Sequence, residues 1–523
     1  MIDELDDGRA VSKQKAESNN PTETPAVIYT MDLFYLMANV SSLVDIRWVL
    51  GVPFNDTNWR LEIAQHGTEI LGDKLLALQI GNEPDLYVAY VAADPHWHGA
   101  HHQGPSSHGH RNEGYSPSTY SDEFASCASA LEGAGIRVQD YLIGPSVATG
   151  DWVPEDVWNT GFIDRHRQNL GILAVEHYPD NNCFAMYGAN GSPKVNQDEF
   201  PLFLNHTAPV SLLQPYLNSS RIALEAGLPF YMLETNTASC GGFPGISNSF
   251  GAALWALDYG FQLAHSNFSG GMLHVGGQNV FYNPFTAPPG SRSAYSEFTL
   301  GSVFYSALVL SEALGPSGTA QVLDLQGNGG NIHTPQYAVY EHGALARVAL
   351  FNYVTDGSGA NDYTATVRAD GLPGSVRVKY LSAGEGGVAA LKDFKYAGQT
   401  FGNMFEVDGL LRGDPDVQTV SCDNGACSVH VPAPGFALVF IAEDDAAVPS
   451  TTFATTAQTK TLNTATVDPS ILATANGMNG AQRGWLGSTS HGSVTGGARV
   501  RATVGREMGW VVGVVVLCGI IRF

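Results

Sequence analysis

Two patterns of apolar residues divide the chain. In the first, short apolar runs rich in β-branched residues alternate with stretches of helical period, which is the pattern of parallel strands joined by crossover helices. The six runs cover residues 43–52, 75–81, 138–146, 171–178, 228–235 and 270–277. From about Tyr337 the period changes to the two-residue alternation of antiparallel strands. An α/β domain followed by a β-sandwich is therefore predicted.

The stretches between the apolar runs carry signals of helices. Residues 116–136 combine Ser and Thr caps, apolar positions at helical spacing and a Gly-containing stop. Residues 246–267 are longer and more apolar on one face, as expected for a helix packed on a sheet. Residues 31–44 form one more helix candidate, ahead of the first apolar run.

Composition narrows the class of partner. With 26 Lys and Arg against 50 Asp and Glu among 523 residues, the formal net charge is -24. Such a chain repels phosphate backbones and offers no basic stripe, which argues against nucleic-acid binding. Its 44% apolar content is enough for at least one large core.

Several local sequence signals bear on the cellular compartment of the protein. The six cysteines include no CxxC pair, and only Cys422 and Cys427 are close enough in sequence to suggest a local bridge. Glycosylation triplets favour a secreted surface; they begin at Asn39, Asn55, Asn190, Asn205, Asn218 and Asn267. The Ser/Thr/Gly-rich stretch from about 451 to 505 and the short apolar end fit a lipid-anchor signal of the GPI kind, the alternative being a disordered tail.

Two glutamates are the catalytic candidates, because each ends an apolar run where the loops of a (β/α)8 barrel build its active site. Glu83 lies in GNEPD and Glu234 lies in ETNTASCGG. A retaining glycosidase uses one protonated carboxyl as proton donor and one ionised carboxylate as nucleophile. Alone, a strand-end Glu more often caps or forms an ion pair. In NEP, however, Asn82 can bind a sugar hydroxyl and Pro84 turns the chain off the strand.

If the six runs are strands 3 to 8 of a barrel, Glu83 follows strand 4 and Glu234 follows strand 7. Together with the segments GNEPDLY, EHYPDN, LETNTASCGGFPG and HVGGQNVFYNPF and a following β-sandwich, this arrangement resembles glycoside hydrolase family 79, the β-glucuronidase and heparanase family of clan A. The resemblance runs from about Ile28 to Asp444. It implies that Glu83 is the acid/base, that Glu234 is the nucleophile and that a β-linked uronic acid is released.

Other strand-end residues complete the predicted site. Tyr178 is expected to orient the nucleophile, as a tyrosine after strand 6 commonly does in such barrels. Glu176 is expected to point into the barrel wall. Residues expected to line the sugar site are Asn82, His177, Asn236, Cys240, Gly241, Gly242, Gln278 and Tyr282. The nucleophile loop departs from the family pattern, because Ser239 and Cys240 stand where β-glucuronidases place a tyrosine against the uronate; backbone amides of residues 240–242 could hold that anion instead.

The predicted domains follow from these patterns. Residues 1–25 are predicted to form a polar N-terminus, 26–314 a (β/α)8-type domain without its first two strands, 315–446 the β-sandwich and 447–523 the tail. The missing strands and signal peptide lead us to expect an N-terminally truncated chain. The sequence also predicts hydrolysis without a metal or other cofactor.

Three alternatives remain open at this point. The chain could be an inactive carbohydrate-binding or surface-anchored protein, or a heparanase-like endo-hydrolase. It could also bind metal through His96, His98, His101, His102, His108 and His110. Structural zinc sites use short fixed spacings, which these histidines lack. Residues 90–107 are interpreted as an extra segment in the loop after strand 4.

Overall fold

The computed structural model describes residues 2–4, 27–88, 110–187, 192–276, 280–286, 299–402, 411–441 and 521–522. A short parallel pair, β1 (Ile2–Glu4) and β2 (Val27–Tyr29), precedes helix α1 (Asp32–Val44) and forms a sheet of its own. Residues 43 and 44, which the sequence assigned to the first apolar run, belong to α1.

The main sheet of the first domain consists of six parallel strands in the order β3-β4-β5-β6-β7-β8. The strands are β3 (Trp48–Val52), β4 (Leu75–Ile80), β5 (Leu142–Val147), β6 (Leu170–Glu176), β7 (Phe230–Thr235) and β8 (Gly270–Leu273). Each predicted run thus overlaps one strand, and the predicted α/β architecture is confirmed. The described residues supply six of the eight strands that a closed (β/α)8 barrel requires.

Helices connect the strands and cover the outside of the sheet. They are α2 (Glu62–Leu71), α3 (Pro117–Gly133), α4 (Pro154–Trp158), α5 (Phe162–Arg165), α6 (Cys183–Tyr187), α7 (Asn196–Glu199), α8 (Thr207–Leu213), α9 (Leu217–Ala226), α10 (Phe250–His265) and α11 (Ser302–Leu314). The cap predicted for residues 116–136 is present, since Ser116 Oγ accepts from the Thr119 N–H. Ser249 Oγ caps α10 in the same way through the Ala252 N–H.

After α11 the chain forms an antiparallel β domain. Between the two domains, β9 (Phe285–Thr286) pairs with β10 (Thr299–Leu300). The domain's strands are β11 (Gln321–Asp324), β12 (Gln336–Glu341), β13 (Ala344–Asn352), β14 (Tyr363–Arg368), β15 (Ser375–Ser382), β16 (Lys395–Tyr396), β17 (Gln418–Asp423), β18 (Ala426–Val431) and β19 (Gly435–Phe440). Their order is β11-β12-β13-β19-β15-β17-β18-β14, with β16 beside β15. The sheet encloses a core that includes Val348, Val378, Val429 and Val439.

The other face of this β domain packs against α10 and α11. Phe351, Phe436 and Phe440 of the sheet belong to the same buried cluster as Phe261 of α10 and Val309 of α11. The opposite face of α10 carries Trp255 and Tyr259, which belong to the core of the first domain. Helix α10 is therefore buried on both sides and joins the two cores.

Two further observations concern a strand near the C-terminus and the lengths of the helices. A strand β20 (Ile521–Arg522) pairs antiparallel with the edge of β8. Among the residues with described structure, no helix is both long and apolar enough to cross a membrane.

Candidate active site

A shift of register brings two carboxyl groups together at the ends of β6 and β7. Val175 pairs with Met232, but the next residue, Glu176, pairs with Glu234, so β7 contains one extra residue at this point. Such a bulge re-aims the following side chains. From its place in the sequence, Glu176 was expected to point into the barrel wall. That expectation is wrong, because Glu176 and Glu234 line the same cavity.

Tyr178 contacts Glu234 directly. Its hydroxyl donates a hydrogen bond of 2.8 Å to Glu234 Oε1, as the sequence predicted for a residue that orients the nucleophile. Burial, together with the nearby charges of Glu234 and the ring of Tyr282, raises the pKa of Tyr178 well above its usual value. The phenol therefore stays protonated and acts as a donor.

Glu83 lies in a turn that fixes its backbone tightly. Its φ and ψ of 51° and 54° are left-handed, a conformation that costs a residue with a Cβ about 1–2 kcal/mol. The Glu83 N–H donates to Ser146 O, and the Asn82 N–H donates to the hydroxyl of Tyr87. Pro84 then opens a single 3-10 turn, Pro84–Leu86. Strain that is held by its surroundings in this way is characteristic of functional positions.

Asp85 ties this turn to the loop after β5. It is 1% exposed, and its two carboxylate oxygens accept from the N–H groups of Ala148 and Gly150 at 2.8 and 2.7 Å. Burial raises the pKa of Asp85 to about 7 in spite of these two hydrogen bonds. Asp85 was not among the candidate residues predicted from the sequence, although its place in GNEPD was a signal.

The cavity at this end of the sheet is polar at the strand ends and apolar below. It is lined by Arg47, Trp48, Val49, Gly51, Gln79, Asn82, Glu176, Leu233, Glu234, Met272, Leu273 and His274. Gln79 and His274 were missed as candidates. Gln79 is a polar residue inside the otherwise apolar run LLALQI, which was the signal that could have found it.

The predicted sugar-site residues after β6 and β8 form a hydrogen-bonded support. Tyr216 Oη lies 2.7 Å from His177 Nδ1, and Tyr282 Oη lies 2.6 Å from His274 Nδ1. Burial lowers the pKa of His177 to about 4, so its ring is neutral. Asn236 is fully buried and donates to the carbonyls of His274 and Tyr282, so it orders the loop after β8. None of His177, Asn236 and Tyr282 lines the cavity described above.

A disulfide joins the loops that follow β6 and β7. Cys183 and Cys240 are bonded, although they are 57 residues apart, and the predicted local bridge Cys422–Cys427 is also present. Cys240, Gly241 and Gly242 all have positive φ. A Cβ on Gly242 would lie 2.5 Å from Ser247 Oγ, so only glycine fits there. Asn182 Nδ2 holds the same turn by donating to Gly242 O.

Some sequence predictions fall outside the described residues. These are Gln278, five of the six clustered histidines and the segment 90–107. His110 is described, and its ring contacts Tyr87. Val88 and Arg111, which lie on either side of this segment, form a bridge with each other. Within the residues of known structure, no group of three or more His, Cys, Asp or Glu could hold a metal ion.

Comparison with known proteins bears on both domains. Residues 336–438 match the family model of the glycosyl hydrolase family 79 C-terminal beta domain. The chain is 28% identical over 306 residues to a beta-glucuronidase of Aspergillus niger, which covers 56% of this chain and 50% of that protein. It is 26% identical over 217 residues to a beta-glucuronidase of Neurospora crassa, which covers 39% of this chain and 34% of that protein. The chain thus matches half or less of the length of these relatives.

The structure itself is similar to a solved one. A 4-O-alpha-L-rhamnosyl-beta-D-glucuronidase from Fusarium oxysporum 12S, crystallised in complex with Rha-GlcA, matches with a TM-score of 0.62 at 20% identity. The match covers 84% of this chain and 85% of that chain and shows a shared fold.

The fold is shared with a glycoside hydrolase, and the β domain matches a glycoside hydrolase family model. These matches confirm the resemblance to glycoside hydrolase family 79 that was drawn from the sequence.

Proposed function

We propose that the protein hydrolyses the glycosidic bond of a β-linked uronic acid by a double displacement. The observation that carries the proposal is the hydrogen bond of 2.8 Å from the Tyr178 hydroxyl to Glu234 Oε1 at the end of β7. Glu83 lies close enough for its charge to raise the pKa of both Tyr178 and Glu176. Glu234 lines the cavity, and Glu83 directly follows Asn82, which also lines it. A pair of strand-end glutamates is what a retaining glycosidase requires.

In the first step, Glu83 donates its proton to the oxygen that leaves, and Glu234 attacks the anomeric carbon to form a covalent glycosyl ester. In the second step, Glu83, now ionised, takes a proton from water. The resulting hydroxide equivalent attacks the anomeric carbon, and Glu234 is released as carboxylate. Tyr178 holds one oxygen of Glu234, so the other oxygen is the one that faces the sugar.

The choice of a uronic acid rests on the relatives, since both curated relatives are named beta-glucuronidase. Hydrolysis of an aryl β-glucuronide should exceed that of the matching aryl β-glucoside, which carries a hydroxymethyl group in place of the carboxylate. Equal rates on the two substrates would contradict uronate selectivity and leave the hydrolase class in place. Cleavage inside a glucuronide oligosaccharide, followed by mass spectrometry of the fragments, separates exo from heparanase-like endo action.

The catalytic roles are tested with two carboxyl variants. Glu234→Gln should abolish turnover of the aryl β-glucuronide, and Glu83→Gln should reduce it by about 10²–10⁴-fold. Glu225→Gln is the matched control, since Glu225 is an exposed carboxyl paired with Arg221 on α9. Retention should be visible by NMR of the first-formed anomer. If the wild type binds glucuronides but turns none over, the protein is a carbohydrate-binding protein instead.

We also propose that the protein is secreted or attached to the cell surface. Two disulfides among the described residues support an oxidising compartment. Asn39, Asn218 and Asn267 of the glycosylation triplets are exposed. Treatment with a deglycosylating enzyme should lower the apparent mass of the protein made by a secreting host. Recovery of the unglycosylated protein inside those cells would contradict the proposal. Release by a GPI-specific phospholipase would test the lipid anchor.

A further inference from the structure

A third carboxyl group, that of Glu176, lies close to the two proposed catalytic ones. Glu176 is 1% exposed at the end of β6 and faces the cavity beside Glu234. Its Oε1 accepts a hydrogen bond of 2.8 Å from Gln79 Nε2. The proposed double displacement gives Glu176 no role, and a buried carboxyl with no role in stability or catalysis is costly to keep.

The hydrogen bonds around Glu176 define its protonation state. Asn82 Oδ1 lies 3.3 Å from both carboxyl oxygens of Glu176 and accepts from Gln79 Nε2 at the same distance. Two acceptors facing each other repel unless a proton lies between them. If the Asn82 amide is turned over, its nitrogen meets Glu176 but then stands 3.3 Å from Gln79 Nε2, which is donor against donor. Turning Gln79 as well would place its oxygen against Glu176 Oε1. A protonated Glu176 satisfies all three groups at once.

The electrostatic surroundings act in the same direction. The acidic groups around Glu176 are Glu234 on β7, Glu83 and Asp85 after β4, and the phenols of Tyr87 and Tyr120. Arg47 and His274 are the basic groups that line the shared cavity. Burial, followed by the charges of Glu234 and Glu83, raises the pKa of Glu176 well above its usual value.

We propose that Glu176 is a positioning residue that remains a neutral carboxylic acid and donates its proton to Asn82 Oδ1, thereby fixing the orientation of the Asn82 amide beside Glu83. The amide nitrogen is then the end of Asn82 that is turned away from Glu176. A sugar oxygen bound there meets a donor and must act as the acceptor. The neutral acid also keeps a further negative charge away from the nucleophile. This role in turnover rests on the proposed hydrolase function, whereas the protonation state does not.

The protonation state is tested without any substrate. In the infrared difference spectrum of wild type minus Glu176→Gln at pH 8, where Asp85 is largely ionised, we expect the carbonyl band of a protonated carboxyl group. The band should disappear as the pH is raised further. No such band in the full-length protein overturns the proposal, even if every variant is inactive, and this separates its failure from failure of the hydrolase function.

Turnover provides the second test. Glu176→Gln preserves the pattern, since its amide nitrogen can donate to Asn82 and its oxygen can accept from Gln79, so kcat should stay within about threefold of wild type. The alkaline limb of the pH–rate profile should shift upward, because this side chain no longer ionises. Glu176→Ala should lower kcat by about 10- to 100-fold through loss of the hydrogen bond. An equal loss in both variants contradicts the positioning role. If Glu176→Ala does not fold, the activity of Glu176→Gln and the infrared band test the proposal instead.

Discussion

At the scale of single residues, the Tyr178 hydroxyl has a function that can be removed with almost no change in shape. Tyr178→Phe deletes the hydrogen bond to Glu234 Oε1 and leaves the ring in place. A hydrogen bond to a charged group contributes about 1.5–3 kcal/mol, so kcat/KM on an aryl β-glucuronide should fall by about 10- to 150-fold.

The control for this change is Tyr141→Phe. The Tyr141 hydroxyl is also buried and donates to Leu75 O at the start of β4, which is the opposite end of the strands from the site. It should lose stability in thermal unfolding and keep its kcat/KM when measured well below the transition. A Tyr178→Phe enzyme as active as the control would show that the hydroxyl does not serve the nucleophile.

The residues of the site that follow strand ends could be predicted from sequence, and those set by local irregularity could not. Glu83, Tyr178 and Glu234 follow apolar runs, and the structure brings them together. Glu176 was misplaced although it follows Ile172 and Ala174 on the inward face of β6. The extra residue in β7 instead turns Glu234 towards the same cavity, and a bulge of this kind leaves no mark in an apolar run. Asn236 has the composition of a sugar ligand but its amide is used by two backbone carbonyls.

At the scale of elements, Asp85 connects the turn that carries Glu83 with the loop after β5. Its pKa of about 7 lies above the ordinary value of an aspartate, so the folded state holds a proton that the unfolded chain has released between these values. The stability that this proton contributes is complete below the ordinary value and is lost as the pH rises through about 7. Thermal unfolding from about pH 5 to pH 8 should therefore show a steeper decline in wild type than in Asp85→Asn.

The control is Asp156→Asn. Asp156 accepts a backbone N–H from Val153 at the exposed start of α4 and leaves the loop after β5 untouched. Its pH dependence should match that of wild type. Parallel curves for wild type and Asp85→Asn would show that Asp85 does not titrate in this range.

The disulfides give an element-scale prediction of a different kind. Cys183–Cys240 closes a span of 57 residues, and Cys422–Cys427 closes a span of 5 in the β17–β18 hairpin. Chain entropy predicts contributions of about 4 and about 2 kcal/mol respectively. Cys183→Ser with Cys240→Ser should lower the free energy of unfolding more than Cys422→Ser with Cys427→Ser, measured by chemical denaturation. The reverse order would indicate that native contacts, rather than the length of the span, determine how much each disulfide contributes to stability.

The two disulfides also show which structural elements could be predicted from the sequence. The short bridge was visible because its cysteines flank a turn, and the long one was not, because it depends on how β6 and β7 are placed. Strands β11 and β17 were also missed. Gln321–Asp324 is only four residues long, and Gln418–Asp423 is polar and mostly exposed, so neither carries a strong periodic signal.

At the scale of the whole molecule, a buried polar cluster fastens the β domain to the barrel-like domain. His206, before α8, lies 3.1 Å from Asp258 of α10 through Nδ1 and 3.0 Å from Asp324 of β11 through Nε2. Tyr337 and Tyr353 of the β domain both donate to Asp258. This network joins residues far apart in sequence, so no local pattern could predict it.

Because of this cluster, the stability of the protein should decrease at alkaline pH. Burial alone would lower the pKa of His206, but hydrogen bonds and the charges of Asp258 and Asp324 raise it to about 10. Its contribution is complete below the ordinary histidine value and is lost as the pH rises through about 10. At neutral pH His206→Gln leaves buried carboxylates without their cation and should cost about 3–5 kcal/mol. The decline in stability between neutral and alkaline pH should also flatten, which denaturation curves across that range would detect.

His430→Gln is the control for this cluster. His430 forms an ion pair with Asp362, but its side chain is 60% exposed, and exposed pairs contribute little. It should unfold as wild type does at neutral pH. An equal effect of the two histidine changes would contradict the importance of the buried cluster.

Helix α10 determines how the protein unfolds. Its residues belong to the hydrophobic cores of both domains, so neither domain can melt without exposing an apolar face of the helix that the other one needs. We therefore expect the two domains to denature as one cooperative unit, with near-ultraviolet and far-ultraviolet circular dichroism lost at the same denaturant concentration. A substitution that destabilises this helix should therefore destabilise both domains.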